Sequence, residues 1–150
     1  MPQSFCQLYV HLIFSTKDRV RYLDAAIRPR MHAYVAETMR NLGSPFVVVG
    51  GPEDHVHVLF DLAKKCAPVD VVEAVKKDAS KFAKTLGAQY QDFYWQRGYG
   101  MFSVGPTHRD EVVRYIETQE EHHRCMTFQD EFLAFLKKYG VAYDERYLWD

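Results

Sequence analysis

The 150-residue sequence has few cysteines and no long apolar run, and both features exclude classes of protein. Its three cysteines, Cys6, Cys66 and Cys125, are odd in number, and no two have the spacing of a zinc knuckle. A disulfide scaffold and a cysteine zinc finger are therefore excluded, and reduced thiols are expected, as in cytoplasmic proteins. The longest apolar stretches, Leu8–Phe14 and Val56–Phe60, are too short to cross a bilayer.

The sequence also lacks a secretory signal and a strong excess of charge of either sign. Residues 1–5 have no basic region, apolar run or small-residue cleavage site, so we expect a cytoplasmic protein without a membrane partner. The net charge is −1, whereas many nucleic-acid-binding proteins are strongly basic. Residues 1–100 carry 13 basic and 10 acidic residues, and residues 101–150 carry 6 and 10. This bias is compatible with a local phosphate-binding surface in the first two-thirds of the chain.

The apolar pattern predicts one α+β domain that spans residues 1–150. Apolar residues make up 47% of the chain, which is enough to form a core. Strand and helix periodicities follow the order β-α-β-β-α-β, and two more helices come after Gly105, one of them from Thr107 to about Arg124. This order predicts a ferredoxin-like (RRM-like) antiparallel sheet with its two early helices on one face. The other face is expected to stay open unless something docks on it.

Two histidines on the third predicted strand are the first candidate site. His55 and His57 are two residues apart, so their imidazoles lie on the same face, while Val56 and Val58 face the core. We expect both imidazoles on the open face, within reach of water and substrate. Two such histidines can begin a metal site. The alternative is a pair of solvated or hydrogen-bonded strand histidines without a ligand.

The first C-terminal helix carries a second candidate set of residues. Tyr115 and Gln119 are four residues apart and share a helix face, and His122 is three residues further along. Val112 and Ile116 better suit its buried face. On the simplest interpretation, Tyr115 is a half-buried packing residue with a solvated hydroxyl, and Gln119 and His122 lie on the surface.

Both sets occur together in a pattern that resembles the single-tyrosine HUH transposases of bacterial insertion sequences and the related tyrosine transposases associated with palindromic repeats. The residues that carry the resemblance are His-Val-His at 55–57 and Tyr-Ile-Glu-Thr-Gln at 115–119. Flanking matches occur in the same order at residues 11–17, 95–104, 119–123 and 143–150, so the resemblance covers essentially the whole chain.

The resemblance implies a DNA transposase that cuts and rejoins single-stranded DNA through a covalent 5′-phosphotyrosine. It implies Tyr115 as the nucleophile and His55, His57 and Gln119 as ligands of one divalent metal, Mg²⁺ or Mn²⁺. Members of this family recognise hairpins at the ends of mobile elements. They act as homodimers in which the tyrosine and the histidines can come from different subunits.

Basic and histidine side chains outside these motifs are further candidates for the same site. DNA phosphates could be bound by a loop and by a helix face, although ordinary solvated charge is the alternative for both. These basic residues are Lys17, Arg19 and Arg21 in the loop and Lys77, Lys81 and Lys84 on the helix. His11 and His122 are candidates for supporting the metal ligands without binding the metal themselves, and the alternative for His11 is a histidine that only packs.

Two other functions remain open from the sequence. One is a non-catalytic single-stranded nucleic-acid-binding protein on a ferredoxin-like sheet, which would bind without cutting and without a metal. The other is a small hydrolase in which His55, His57 and His122 bind zinc and Tyr115 only assists.

Overall fold

In the computed structural model, residues 2–123 and 125–150 are described, except for the side chains of Glu120 and His122. Four strands form one sheet in the order β2-β3-β1-β4, and every neighbouring pair is antiparallel. The strands are β1 (Tyr9–Ser15), β2 (Val47–Gly50), β3 (His55–Asp61) and β4 (Gly100–Val104). This is the α+β, ferredoxin-like arrangement that the sequence predicts.

Two helices cover one face of the sheet, as expected. Helix α1 (Arg28–Asn41) begins with a proline in its first turn and is followed by Gly43, whose φ of +98° suits a helix end. Helix α2 (Pro68–Lys84) lies beside α1. Their buried side chains pack against the alternate strand residues of β1 and β3 that face them. The strand residues are Val10, Leu12, Phe14, Val56, Val58 and Phe60.

The other face does not stay open, because the C-terminal helices of the same chain dock on it. Helix α3 (Arg109–Glu117) packs Ile116 against Tyr9 and Leu59 of the sheet. Helix α5 (Phe128–Lys138) packs Phe128 and Phe132 against Ile13. The physical reason is that each C-terminal helix has an apolar stripe, which is stable only when buried. The uncovered sheet face of the same chain provides the surface that buries it.

The helix predicted from Thr107 to about Arg124 is divided into two. Helix α3 ends at Glu117, and a short helix α4 (Gln119–His122) follows. Between them, Thr118 donates from its hydroxyl to the carbonyls of Arg114 and Tyr115, 3.0 and 3.3 Å away. Such side-chain bonds to the preceding turn compete with regular helix geometry, so the break falls at a threonine.

Within the described parts of the chain, no helix has both the length and the apolar composition needed to span a membrane.

Candidate active site

The central position of β3 places His55 and His57 on the sheet face that α3 and α5 cover. In the register of the sheet, His55 lies opposite Ser15 and His57 opposite Ile13 of β1. Both imidazoles share a face as predicted, but both side chains are fully buried, with 0% exposure. The expected solvent exposure of these histidines is therefore wrong, because α5 of the same chain lies over them.

The buried imidazoles converge on one carboxylate of α5. Glu131 is 2% exposed, and its Oε1 lies 3.0 Å from Nε2 of His57 and 3.2 Å from Nε2 of His55. A third imidazole, that of His123, also brings its Nε2 to 3.2 Å from the same oxygen. Ligand atoms of these four residues all lie within 4.8 Å of one another.

The outer nitrogens of two imidazoles are held by groups that only accept hydrogen bonds. Nδ1 of His55 is 2.7 Å from the Asp54 carboxylate, and Nδ1 of His123 contacts the carbonyl oxygen of Met126. Both Nδ1 atoms must therefore carry a proton. In the neutral form, Nε2 of His55 and of His123 consequently presents a bare lone pair to the cluster, which is the metal-binding form of histidine.

Burial and charge set the protonation of the cluster. Burial lowers the pKa of His57 to about 4, so this imidazole is neutral near pH 7. Burial by itself also lowers the pKa of His55, but the carboxylates of Asp54 and Glu131 raise it above its ordinary value. Burial alone would raise the pKa of Glu131, but the close approach of the His123, His55 and His57 imidazoles holds it well below its usual range. Glu131 is therefore a carboxylate.

Tyr115 reaches this cluster within its own chain. Its hydroxyl donates a hydrogen bond to Oε2 of Glu131, and its ring centroid lies 5.8 Å from that of His57. Burial and the negative charge of Glu131 raise the pKa of Tyr115 well above its ordinary value. In this form the phenol is neutral and held in place.

Gln119 and His11 also lie at the cluster, on opposite sides. Gln119 is buried, and its Oε1 lies 2.9 Å from Nε2 of His123. His11 is on β1, and its Nε2 lies 2.8 Å from Nδ1 of His57. Burial lowers the pKa of His11 to about 3, so it is neutral as well. The side chain of His122, the other predicted supporting residue, lies outside the described residues.

Two clefts open beside the buried cluster. One, of about 740 Å³, reaches Tyr115 and His11 and carries Arg114 and Lys138 on its lining. The other, of about 700 Å³, reaches His123 and is lined by both basic and acidic residues, with Arg19 and Arg21 among the basic ones. Solvent therefore approaches the cluster at Tyr115 and at His123.

The predicted phosphate-binding residues lie on two different sides of the molecule. Lys17 and Arg21 are exposed, and Arg19 donates to the carbonyl oxygen of Trp149 at 2.9 Å. The lysines of α2 belong to the helix layer across the sheet, where Lys77 and Lys81 are exposed and Lys84 lies over the ring of Tyr94. The structure thus brings the arginines of the loop, and not the lysines, close to the cluster.

Two residues of the cluster are absent from the sequence-based site, His123 and Glu131. His123 follows Gln119 by four residues, a spacing that could have indicated it. Glu131 has a subtler signal, because this charged residue falls within the apolar stripe of α5, between Phe128 and Phe135. A charged residue on a buried helix face needs partners. The identity of those partners could not be read from the helix alone.

Comparison with known proteins agrees with the resemblance drawn from the motifs. Residues 4–119 match the family model described as "Transposase IS200 like", which is more than half of the chain. The chain belongs to the IS200-like transposase family. The match ends at Gln119, so His123 and Glu131 lie beyond the matched residues of this transposase. None of the curated proteins matches the chain.

Two solved structures share the fold of this transposase. A proposed transposase from Deinococcus radiodurans R1 is 21% identical, covers 79% of this chain and 98% of its own, and has a TM-score of 0.62. A REP-associated tyrosine transposase, solved bound to a REP hairpin, is 13% identical, covers 82% of this chain and 72% of its own, and has a TM-score of 0.59.

The residues of the cluster fit a divalent metal. Three imidazole nitrogens and a carboxylate oxygen converge on one point, and the amide oxygen of Gln119 lies beside them. Nε2 of His55 makes no hydrogen bond to any residue in the described part of the chain, although it points to Glu131. A buried nitrogen that has no hydrogen bond and lies among other ligand atoms is typical of a metal ligand before the cation binds.

Proposed function

We propose that this transposase cuts and rejoins single-stranded DNA, with Tyr115 as the nucleophile and a covalent 5′-phosphotyrosine as the intermediate. The observation that carries the proposal is the convergence of two motifs that are far apart in the sequence. The Tyr115 hydroxyl and the imidazoles of His55 and His57 contact the same carboxylate of the same chain. A nucleophile beside a metal-ligand cluster is the arrangement that phosphodiester cleavage needs.

The proposed reaction exchanges one phosphodiester for another. The Tyr115 oxygen loses its proton and attacks the phosphorus, and the bond from phosphorus to the 3′ oxygen breaks. The leaving 3′ oxygen takes up a proton and becomes a free hydroxyl, while the 5′ phosphate stays on Tyr115. Attack by another 3′ hydroxyl reverses these steps and releases the tyrosine. Because the esters have similar free energies, no ATP is required.

His55, His57 and Gln119 are the proposed ligands of Mg²⁺ or Mn²⁺, and imidazole suits Mn²⁺ better than Mg²⁺. When bound, such a cation draws charge from a non-bridging phosphate oxygen and stabilises the transition state. The protein residues supply the positioning. His11 orients His57, and Asp54 orients His55, through bonds to their Nδ1 atoms.

Basic residues around the clefts are proposed to position the DNA strand. Lys17, Arg19 and Arg21 lie on the loop after β1, and Arg19 and Arg21 line the cleft at His123. The α2 lysines, across the sheet, would need a strand that wraps around the domain. We further propose that hairpins at the element ends are the substrate and that the protein acts as a homodimer. The hairpin-bound relative and the family resemblance support these two points.

The decisive experiment traps the covalent intermediate. Wild-type protein incubated with labelled single-stranded DNA from its own element ends and Mn²⁺ is expected to form an adduct that survives a denaturing gel. Tyr115→Phe should bind the hairpin normally and form no adduct, because the ring remains while the attacking oxygen is lost.

Tyr147→Phe is the matched control, since Tyr147 is exposed and belongs to neither cleft lining. It should form adduct as the wild type does. Adduct at the wild-type level in Tyr115→Phe would exclude this nucleophile. Hairpin binding by the wild type with no cleavage in any divalent cation would instead support a non-catalytic binding protein.

A further inference from the structure

Glu131 is a buried charge that the packing of α5 does not require. It lies on the sheet-facing side of the helix between the apolar side chains Phe128 and Phe132. An apolar residue there would pack without the cost of removing a carboxylate from water. The position therefore needs an explanation from the groups that Glu131 contacts.

Hydrogen bonding alone leaves these contacts poorly satisfied. Because Nδ1 of His55 and of His123 holds the proton of each neutral imidazole, their Nε2 lone pairs face an oxygen that also carries lone pairs. Only imidazolium ions or a cation between the atoms can make these contacts attractive. A single divalent cation satisfies the nitrogens and the oxygen together.

The separations agree with ligands of a common cation. Two atoms bound about 2.1 Å from one metal lie roughly 3.0 to 3.4 Å from each other, given usual metal–ligand distances and angles. Oε1 of Glu131 is 3.0 to 3.2 Å from the Nε2 atoms of the three histidines. The second carboxylate oxygen, Oε2, is taken by the Tyr115 hydroxyl. The two oxygens thus have different partners.

We propose that Glu131 joins the cation to the nucleophile, with Oε1 binding the cation beside His55 and His57 and Oε2 holding the Tyr115 hydroxyl next to it. The proposal rests on the proposed function and adds a ligand from α5, outside the residues that match the family. It also explains why α5 covers the histidines, because the helix carries a ligand of the site.

Cation binding without DNA tests this role. Full-length protein is stripped with a chelator and titrated with Mn²⁺ by calorimetry. Glu131→Gln keeps the size of the side chain but removes its charge, and it should weaken Mn²⁺ binding by about tenfold or more, the usual order for loss of a site group. Asp130→Asn removes a charge from the exposed neighbouring residue and should stay within about twofold of the wild type.

A second measurement uses the wild type, in case Glu131→Gln does not fold. Mn²⁺ is paramagnetic and broadens the NMR signals of nearby nuclei, so a small amount should remove the carboxyl signal of Glu131. The signal of Glu37, on α1 across the sheet, should persist. Persistence of the Glu131 signal when Mn²⁺ is bound overturns the proposal.

The outcomes separate this proposal from the proposed function. Mn²⁺ binding that is unchanged in Glu131→Gln but lost in His57→Ala overturns the role of Glu131 and leaves the metal-dependent cleavage intact. A wild type that binds no Mn²⁺ and forms no DNA adduct overturns both. A wild type that forms adduct without any divalent cation overturns the role of Glu131 but keeps Tyr115 as nucleophile.

Discussion

At the scale of single residues, protonation in the buried cluster is decided by which groups surround each imidazole. His55 lies between two carboxylates, which raise its pKa, whereas His11 and His57 are paired with each other and burial lowers their pKa values to about 3 and 4. Because both imidazoles are neutral, His11 on β1 can orient His57, a proposed metal ligand, without repulsion between charges. The same burial makes the folded state sensitive to acid.

Acid should destabilise the metal-free protein, and His11→Gln should reduce the effect. The unfolded chain protonates His11 near pH 6.5, but the folded chain does so only near its pKa of about 3. Between these values the unfolded state binds more protons, so stability falls as the pH falls. His11→Gln removes this difference and should reduce the loss of unfolding free energy between pH 7 and pH 5 by up to about 2 kcal/mol.

Urea unfolding in the presence of a chelator measures this loss. The exposed His108 provides the control, because His108→Gln makes the same substitution at a surface imidazole. Equal pH dependence in His11→Gln and the wild type would show that His11 does not resist protonation.

At the scale of helices and strands, glycines allow the C-terminal helices to approach the sheet closely. A Cβ atom at Gly50, at the end of β2, would lie 2.6 Å from Cγ2 and 2.8 Å from the carbonyl oxygen of Ile116 in α3. At Gly100 of β4, a Cβ atom would lie 2.5 Å from Cε2 of Phe132 in α5. The close packing of α3 and α5 sets the positions of Tyr115 and Glu131 over the histidines.

Gly50→Ala should displace the tyrosine helix. One of the clashing atoms belongs to the backbone of α3, which cannot move aside as a side-chain tip can. We expect a loss of stability of about 1 to 3 kcal/mol, typical of overpacking. Adduct formation at a temperature where the variant is folded should fall by about tenfold or more, because a nucleophile displaced by an ångström reacts far more slowly.

Gly105→Ala is the matched control for this prediction. Gly105 has a φ of −63°, and its added Cβ would make an ordinary 3.5 Å contact with Nδ1 of His108. Thermal unfolding and the adduct assay should therefore give near wild-type values. A Gly50→Ala variant that matches Gly105→Ala in both assays would show that α3 tolerates displacement from β2.

At the scale of the whole molecule, the domain holds every part of the proposed site in one chain. The histidines come from β3, the tyrosine from α3 and the carboxylate from α5, and these elements are layered on the same sheet face. Family dimers in which the tyrosine crosses to the partner would need α3 to leave this position. The burial of Ile116 against Tyr9 and Leu59 opposes such a departure.

Mixing two inactive variants should therefore fail to restore activity. Tyr115→Phe and His57→Ala are made at different lengths and combined. If the tyrosine acts on the histidines of its own chain, every site carries one of the two defects. No adduct above background is expected on either chain. The control mixes the wild type with Tyr115→Phe and should label only the wild-type chain. Adduct on the His57→Ala chain in the first mixture would show that the tyrosine acts across subunits.

The local features of this protein follow from its amino-acid sequence alone. Period-two alternation placed His55 and His57 on one face of a strand, and helical spacing placed Tyr115 near Gln119, because backbone geometry requires both. The family model matches residues 4–119, a range that contains these four residues. The covering of the imidazoles by α5, and the presence of Glu131 and His123 beside them, depend instead on how the helices pack on the sheet. Glu131 meets His57 across 74 positions of the chain, and no local period specifies such a contact. It depends on which apolar stripe fills the second face of the sheet, and that is settled by packing of the complete chain.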